Sequence, residues 1–213
     1  MTDLVYNRPA VGPIATDADR REEWRTRELG GVPVKPHPHR RMILHMLGRL
    51  DFNSVLELGC GSGENLRAIA RESLYRLDLY GVDINLPRVL ACQEACKDIA
   101  SCVSVKCGDE RNLPSADLVL CDAVCLIYED PSAILDALQV AAKRWLVLSE
   151  WHDDGRGTFR GDRVEDGPDY WVHDFTERLG KSAYSWPYSK PDWPGERCGN
   201  WHAYGWVMAW RME

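Results

Sequence analysis

The sequence predicts an α/β fold, a doubly wound and mostly parallel sheet with helices on both faces, preceded by N-terminal helices. Three observations predict it. Short apolar runs recur between residues 54 and 150, helical patterns alternate with them, and a glycine-rich turn joins the first run to the helix after it.

The elements follow in order. An extended lead containing Pro9 and Pro13 precedes a helix expected over Thr16–Leu29, with Thr16 as N-cap and Gly30-Gly31 as its stop. A second helix is expected over His39–Leu50, where Met42, Ile43, Met46, Leu47 and Leu50 form an apolar stripe. Residues 1–50 therefore read as a helical cap, and residues 51–213 as the main domain. Val55–Leu58, Leu79–Val82, Val103–Lys106, Leu118–Cys121 and Leu146–Leu148 are short apolar runs, as expected of strands buried on both faces. Leu66, Ile69, Ala70 and Leu74 recur at helical spacing after the first strand. After the fourth, Asp130 caps and Pro131 opens a helix carrying Ile134, Leu135 and Leu138. Trp151–Asp169 reads as a long Gly- and Asp-rich loop, followed by a short helix over Val172–Leu179 that Gly180 ends. Two strand-like runs, Ser182–Tyr188 and Tyr204–Met212, close the chain.

Composition narrows the function. At 213 residues, 45% hydrophobic and 28% charged, the chain can bury a core, which excludes a disordered or collagen-like protein. A net charge of −7 offers no general electrostatic hold on phosphate backbones, so a nucleic-acid substrate is not expected. No apolar run reaches the roughly 18 residues of a membrane span; the longest, Leu118–Tyr128, is broken by Asp122. The opening Met1-Thr-Asp-Leu-Val lacks a basic segment followed by an apolar one, and the expectation is a soluble, cytoplasmic protein. The eight cysteines form no C-x-x-C pair, so no zinc site is expected. Cys92 and Cys96 fall in register with Val89 and Ile99 on a helical core stripe.

Chemistry concentrates in Val55-Leu-Glu-Leu-Gly-Cys-Gly-Ser-Gly-Glu-Asn-Leu66. Gly59, Gly61 and Gly63 allow a sharp turn and close approach of a ligand, the generic nucleotide site at the carboxyl edge of a parallel sheet. The spacing is G-x-G-x-G, and Glu64 occupies the place of the third glycine of the dinucleotide fingerprint. Glu57 would repel a pyrophosphate but suits a cationic ligand end, such as an amino group near a sulfonium. Gly81-Val-Asp-Ile-Asn85 ends the second strand in Asp83, whose carboxylate can accept from both hydroxyls of a ribose.

Glu57-Leu-Gly-Cys-Gly-Ser-Gly63 with Gly81-Val-Asp83 resembles the class I S-adenosylmethionine-dependent methyltransferases. The resemblance continues through Gly108-Asp-Glu-Arg-Asn-Leu-Pro114 and Asp117-Leu-Val-Leu-Cys-Asp-Ala-Val124, four motifs in order over about residues 50–150. It implies S-adenosylmethionine as cofactor, S-adenosylhomocysteine as product, and a Rossmann-like sheet of seven strands ending in a C-terminal antiparallel hairpin. It further implies cofactor contacts at Glu57, Gly59, Cys60, Gly61, Asp83 and Ile84, at Asp109 or Glu110 for the adenine amino group, and at Asp122 and Ala123 under the methionine part. Asp122 could instead orient the acceptor or cap a helix. His37-Pro-His-Arg40 looks like a cofactor-covering segment, with Arg40 able to face the cofactor carboxylate or simply to start a helix.

The acceptor is less legible. Methyl transfer is a direct displacement whose rate can come largely from alignment, and a hydroxyl acceptor gains from a base that a neutral amine can do without. His152, just past the fifth strand, is the candidate base, and His173 the second. Asp153, Asp154, Asp162 and Asp166 raise a magnesium site, but their spacing matches no ligand loop and a solvated loop is the expectation. Trp206, Met208 and Trp210 share one face of a strand, while Trp193 and Trp201 sit where aromatic walls could bind an acceptor, making 151–213 the expected acceptor-facing part. The reading is a methyltransferase acting on oxygen or nitrogen of a small molecule, as a monomer or homo-oligomer. An RNA or protein methyltransferase, or a non-catalytic cofactor-binding subunit, is the alternative.

Overall fold

The computed structural model describes residues 16–27, 37–73, 75–99, 102–163, 169–189, 191–192 and 201–213. In chain order the elements are α1 (Asp17–Thr26), α2 (Arg40–Leu47), β1 (Ser54–Leu58), α3 (Glu64–Glu72), β2 (Asp78–Asp83), α4 (Leu86–Ala95), β3 (Val103–Cys107), β4 (Ala116–Asp122), α5 (Ser132–Ala141), β5 (Ala142–Trp151), β6 (Phe159–Arg163), β7 (Asp169–Val172), α6 (Phe175–Leu179), β8 (Tyr184–Pro187), α7 (Trp201–Tyr204) and β9 (Gly205–Arg211).

Seven strands form one sheet in the order β3-β2-β1-β4-β5-β9-β8. The first five pair in parallel, and β9 runs antiparallel between β5 and β8. This is the doubly wound sheet with a C-terminal antiparallel hairpin. Strand order reverses between β1 and β4, so the carboxyl ends of β1, β2 and β4 open one crevice, where ligands bind in such sheets.

Burial explains why the parallel strands were legible. Val55, Leu56, Leu118, Val119, Leu120, Leu146, Val147 and Leu148 are all fully buried, leaving no polar face to interrupt the runs. From α2, Ile43, Met46 and Leu47 join the same core as the sheet. Cys92 and Cys96 lie buried in it with sulfurs 4.0 Å apart. Met208 and Trp210 are buried as their alternation predicts, but so are Val207 and Ala209, because β9 is an interior strand covered on both faces. No helix among the described residues is long and apolar enough to cross a membrane.

The structure corrects three boundaries. Residues 151–169 are not one loop, since β6 and β7 pair antiparallel as a separate two-stranded sheet. Gly161, a loop signal in sequence, instead makes room for Trp151, whose ring atom Cζ3 would lie 2.5 Å from a Cβ there. The helix expected from Val172 starts at Phe175, because Val172 completes β7 and Asp174 caps the helix by accepting from the Glu177 N–H at 3.1 Å. Helix α1 stops at Thr26 rather than Leu29; the proposed Gly30-Gly31 stop lies outside the described residues. The cause of the early stop is tertiary. The Asn85 side-chain amide donates to the carbonyls of Trp24, Arg25 and Arg27, at 2.9, 3.3 and 2.9 Å, and satisfies the helix end from another element.

Candidate cofactor and acceptor site

The turn after β1 builds the floor. Gly59 has φ +78° and a Cβ there would sit 2.3 Å from Val124 Cγ2, so glycine is required by both conformation and space. At Gly63, with φ +82°, a Cβ would meet the Cys92 sulfur at 2.4 Å, which keeps α3 close to α4. The Gly61 N–H donates to Asp83 Oδ2 and the Asn85 N–H to Asp83 Oδ1, both at 2.8 Å, fixing the acid at the end of β2.

One cavity of about 580 Å³ occupies the crevice. Glu57, Gly59, Cys60, Gly61, Asp83, Ile84, Asp109, Glu110, Asp122 and Ala123 all line it, so the structure brings together every residue named for the cofactor. Arg40 lines it as well.

Its electrostatics are ordered. Burial raises Glu57 to about 8, against a bond from Asn65 and helped by the charge of Asp122. Asp122 is less buried, and the His39 charge and hydrogen bonds from His39, Ser149 and Asn65 outweigh its desolvation and hold it at about 2. One Asn65 amide nitrogen joins the two acids, 2.7 Å from Glu57 Oε1 and 2.9 Å from Asp122 Oδ2. The environment thus drives two neighbouring carboxyls into opposite protonation states. At the far end, Arg111 first and Arg21 in support lower Asp109, and Arg21 bonds Glu110 Oε1 at 2.7 Å.

Sequence reading missed the partners of Asp122. His39 Nε2 lies 3.0 Å from Asp122 Oδ2, and His39 Nδ1 lies 2.7 Å from His37 Nδ1. Ser149 Oγ donates to Asp122 Oδ1 at 2.5 Å and also meets the Tyr188 hydroxyl at 2.9 Å. With Asp122 ionised, His39 must carry its hydrogen on Nε2, and one further hydrogen is shared between the two Nδ1 atoms. Burial and the neighbouring His39 and Arg40 push His37 down to about 4. No local signal in the sequence joins residue 39 to residue 122; only the His-x-His-Arg spelling marked the segment.

Glu150 was also missed. It is fully buried and accepts from the backbone N–H groups of Val124, Cys125 and Leu126 at 2.8, 2.9 and 3.1 Å. That anchors the turn after β4, where Ala123 adopts φ +59°, a strained value for a residue with a Cβ.

His152 has a different placement from the one expected of a base. Its ring is 3% exposed and does not line the cavity; Nδ1 contacts the His173 carbonyl and the Phe175 N–H, and Nε2 contacts Asp154 at 2.9 Å. Standing at the sheet edge, it is turned into the junction of β5, β7 and α6. His173 is buried too, with Nε2 3.2 Å from the Cys125 carbonyl, and burial lowers it to about 4. Of the four aspartates considered for magnesium, Asp154 pairs with His152 and Asp153 with Arg156; Asp166 and the Asp162 side chain lie outside the described residues, as do Trp193 and the Trp201 side chain.

Residues 55–144 match the family model described as a methyltransferase domain. Among solved structures, the chain is similar to the magnesium protoporphyrin IX methyltransferase of Synechocystis PCC 6803 with bound S-adenosylhomocysteine, at 18% identity, covering 91% of this chain and 97% of that one, with a TM-score of 0.63. It is similar to the N-terminal domain of EvdMO1, solved with S-adenosylhomocysteine and D-fucose, at 16% identity over 92% and 94% of the two chains and a TM-score of 0.56. It is also similar to the 4+2 cyclase SpnF, at 17% identity over 81% of each chain and a TM-score of 0.60. Identities this low speak for the fold alone. No curated protein sequence matches the chain significantly. By the domain match, residues 55–144 carry a methyltransferase domain, and the chain has the sheet order and motif order of the class I S-adenosylmethionine-dependent methyltransferase fold.

Proposed function

We propose that the chain methylates an oxygen or nitrogen of a small-molecule acceptor. The observation that carries this reading is the pattern of unmatched polar atoms along the cavity. Glu57 Oε2 and Arg40 Nε are both buried without a hydrogen-bond partner among the described residues, and both residues line the cavity. A carboxyl that an ammonium would draw into its ionised form and a guanidinium that Glu64 pairs only through Nη2, each with an unmatched atom, together fit the ammonium and carboxylate of a methionine group. Asp83, at the other end, fits a ribose diol. Bound there, S-adenosylmethionine supplies a methyl group on a sulfonium.

The chain's own residues then have separable tasks. Glu57 and Arg40 hold the zwitterion, and the glycine turn lets the ligand approach the backbone. Val124, Ile127, Tyr128, Ile134 and Tyr170 line the remaining wall, an apolar surface with two phenols that suits a compact, partly apolar acceptor. His39 lines the cavity with its ring held between Asp122 on Nε2 and His37 on Nδ1. The described N-terminal residues act as a cap, since Trp24, Arg27, His39 and Arg40 reach the cavity, and the C-terminal part faces the acceptor through Tyr170.

The test is transfer of radiolabelled methyl from S-adenosylmethionine into a host extract, separated by size. Label in the small-molecule fraction is the expected result. Label retained on RNA or protein would overturn the acceptor class, and no label in any fraction would count against transfer itself.

A further inference from the structure

Helix α1 reaches the cavity through Trp24 and is fastened at three places. At its start, Asp17 accepts from the Glu129 and Asp130 N–H groups at 2.9 and 3.1 Å. Midway, Arg21 bonds Glu110 and lies 5.9 Å from the Tyr128 ring centre. At its end, the Asn85 amide donates to the carbonyls of Trp24, Arg25 and Arg27 while its Oδ1 accepts from the Arg88 N–H at 2.9 Å, so one buried side chain ends α1 and starts α4. These fastenings bring Trp24, on α1, against Arg88, on α4. The Arg88 guanidinium carbon is 5.6 Å from the Trp24 ring centre, and that of Arg27 is 4.7 Å from it. Arg88 also lies over the glycine turn, with Nη1 3.5 Å from where a Cβ of Gly61 would be.

Trp24 and Arg88 line the cavity beside Asp83, Ile84 and Gly108, yet Trp24 Nε1 and Arg88 Nε are buried without a partner among the described residues. Buried donors of this kind call for acceptors. Asp83, Asp109 and Glu110 bring acceptors to the same end of the cavity. A group that offers both lone pairs and donors satisfies the two sets together, and an adenosine does so through its ring nitrogens, ribose oxygens, amino group and hydroxyls.

We propose that Trp24 and Arg88 bind the nucleoside half of the cofactor and set its specificity, with α1 as the element that carries this contact to the cavity. The assignment rests on the cofactor reading above and adds two residues outside the glycine turn and the acidic strand ends.

Calorimetry with two ligands separates the two assignments. S-adenosylhomocysteine carries both halves, whereas 5′-methylthioadenosine carries the nucleoside without the amino-acid end. Trp24→Leu and Arg88→Met should each weaken both ligands by about tenfold or more, the size of one lost hydrogen bond at a desolvated site. Glu57→Gln should weaken S-adenosylhomocysteine and leave methylthioadenosine unchanged. If Trp24→Leu fails to give a native melt, Arg88→Met alone decides. Unchanged affinity for both ligands in the two variants, or a loss confined to S-adenosylhomocysteine, would overturn the nucleoside assignment while sparing the cofactor site. Failure of S-adenosylhomocysteine to bind the unaltered protein would instead overturn the cofactor reading.

Discussion

Two carboxyls bridged by one amide stand at one end of the cavity. Glu57 lies high because little but Asn65 compensates its burial, and Asp122 lies low because His39, Ser149 and Asn65 all stabilise its anion. Linkage turns this into a prediction for the unliganded protein. Glu57 and Glu150, both raised to about 8, bind more protons folded than unfolded, so their contribution is complete below the ordinary Glu range and declines as pH rises towards 8. His37 and His173, lowered to about 4, act in the opposite sense, but only below the ordinary histidine value of about 6.5. Between pH 6.5 and 8 the glutamates act, joined towards pH 8 and in the same sense by the buried cysteines raised above their ordinary value, and stability should fall as pH rises, by up to roughly 1.4 kcal/mol per pH unit per group. Thermal melts across that range should show Tm declining, with a shallower decline in Glu57→Gln. A flat or rising Tm would contradict the environment assigned to Glu57.

At the scale of elements, legibility followed burial. Strands β1, β2, β4 and β5 announce themselves because most of their side chains are inside, and the glycine turn because its conformation permits nothing else; β3, expected to be buried on both faces, is instead an edge strand with no buried side chain. Strands β6 and β7 were hidden in a Gly- and Asp-rich stretch that reads as a loop, where Gly161 lets Trp151 lie against the backbone. The end of α1 was equally hidden because Asn85, nearly sixty residues away, supplies its partners. The turn after β4 shows the same dependence on a remote group. Its three N–H groups converge on Glu150, and Ala123 stays at positive φ within that frame. Glu150→Ala would strand three buried donors and should cost about 3 kcal/mol or more in urea unfolding. A cost below about 1 kcal/mol would show that the turn does not depend on Glu150.

For the molecule as a whole, the sheet order follows from the motif order, and ten named cofactor residues meet at one cavity because all stand at carboxyl ends of neighbouring strands or just beyond them. What sequence could not reveal is how the flanking segments close on that edge. His39 reaches Asp122, Tyr188 joins through Ser149, and Trp24 comes to rest on Arg88; each is a contact between distant parts of the chain. His152 occupies the expected place along the chain, yet its ring turns inward, a matter of packing that position alone does not decide.

The central claim is that this cavity holds S-adenosylmethionine by its zwitterion and its ribose. Titrating S-adenosylhomocysteine at pH 7 in two buffers of different ionisation enthalpy tests it most directly. The account predicts binding with release of close to one proton, because the ammonium draws Glu57, raised to about 8 in the free protein, into its ionised form. Binding without proton release would place the ammonium elsewhere, and no binding would contradict the site.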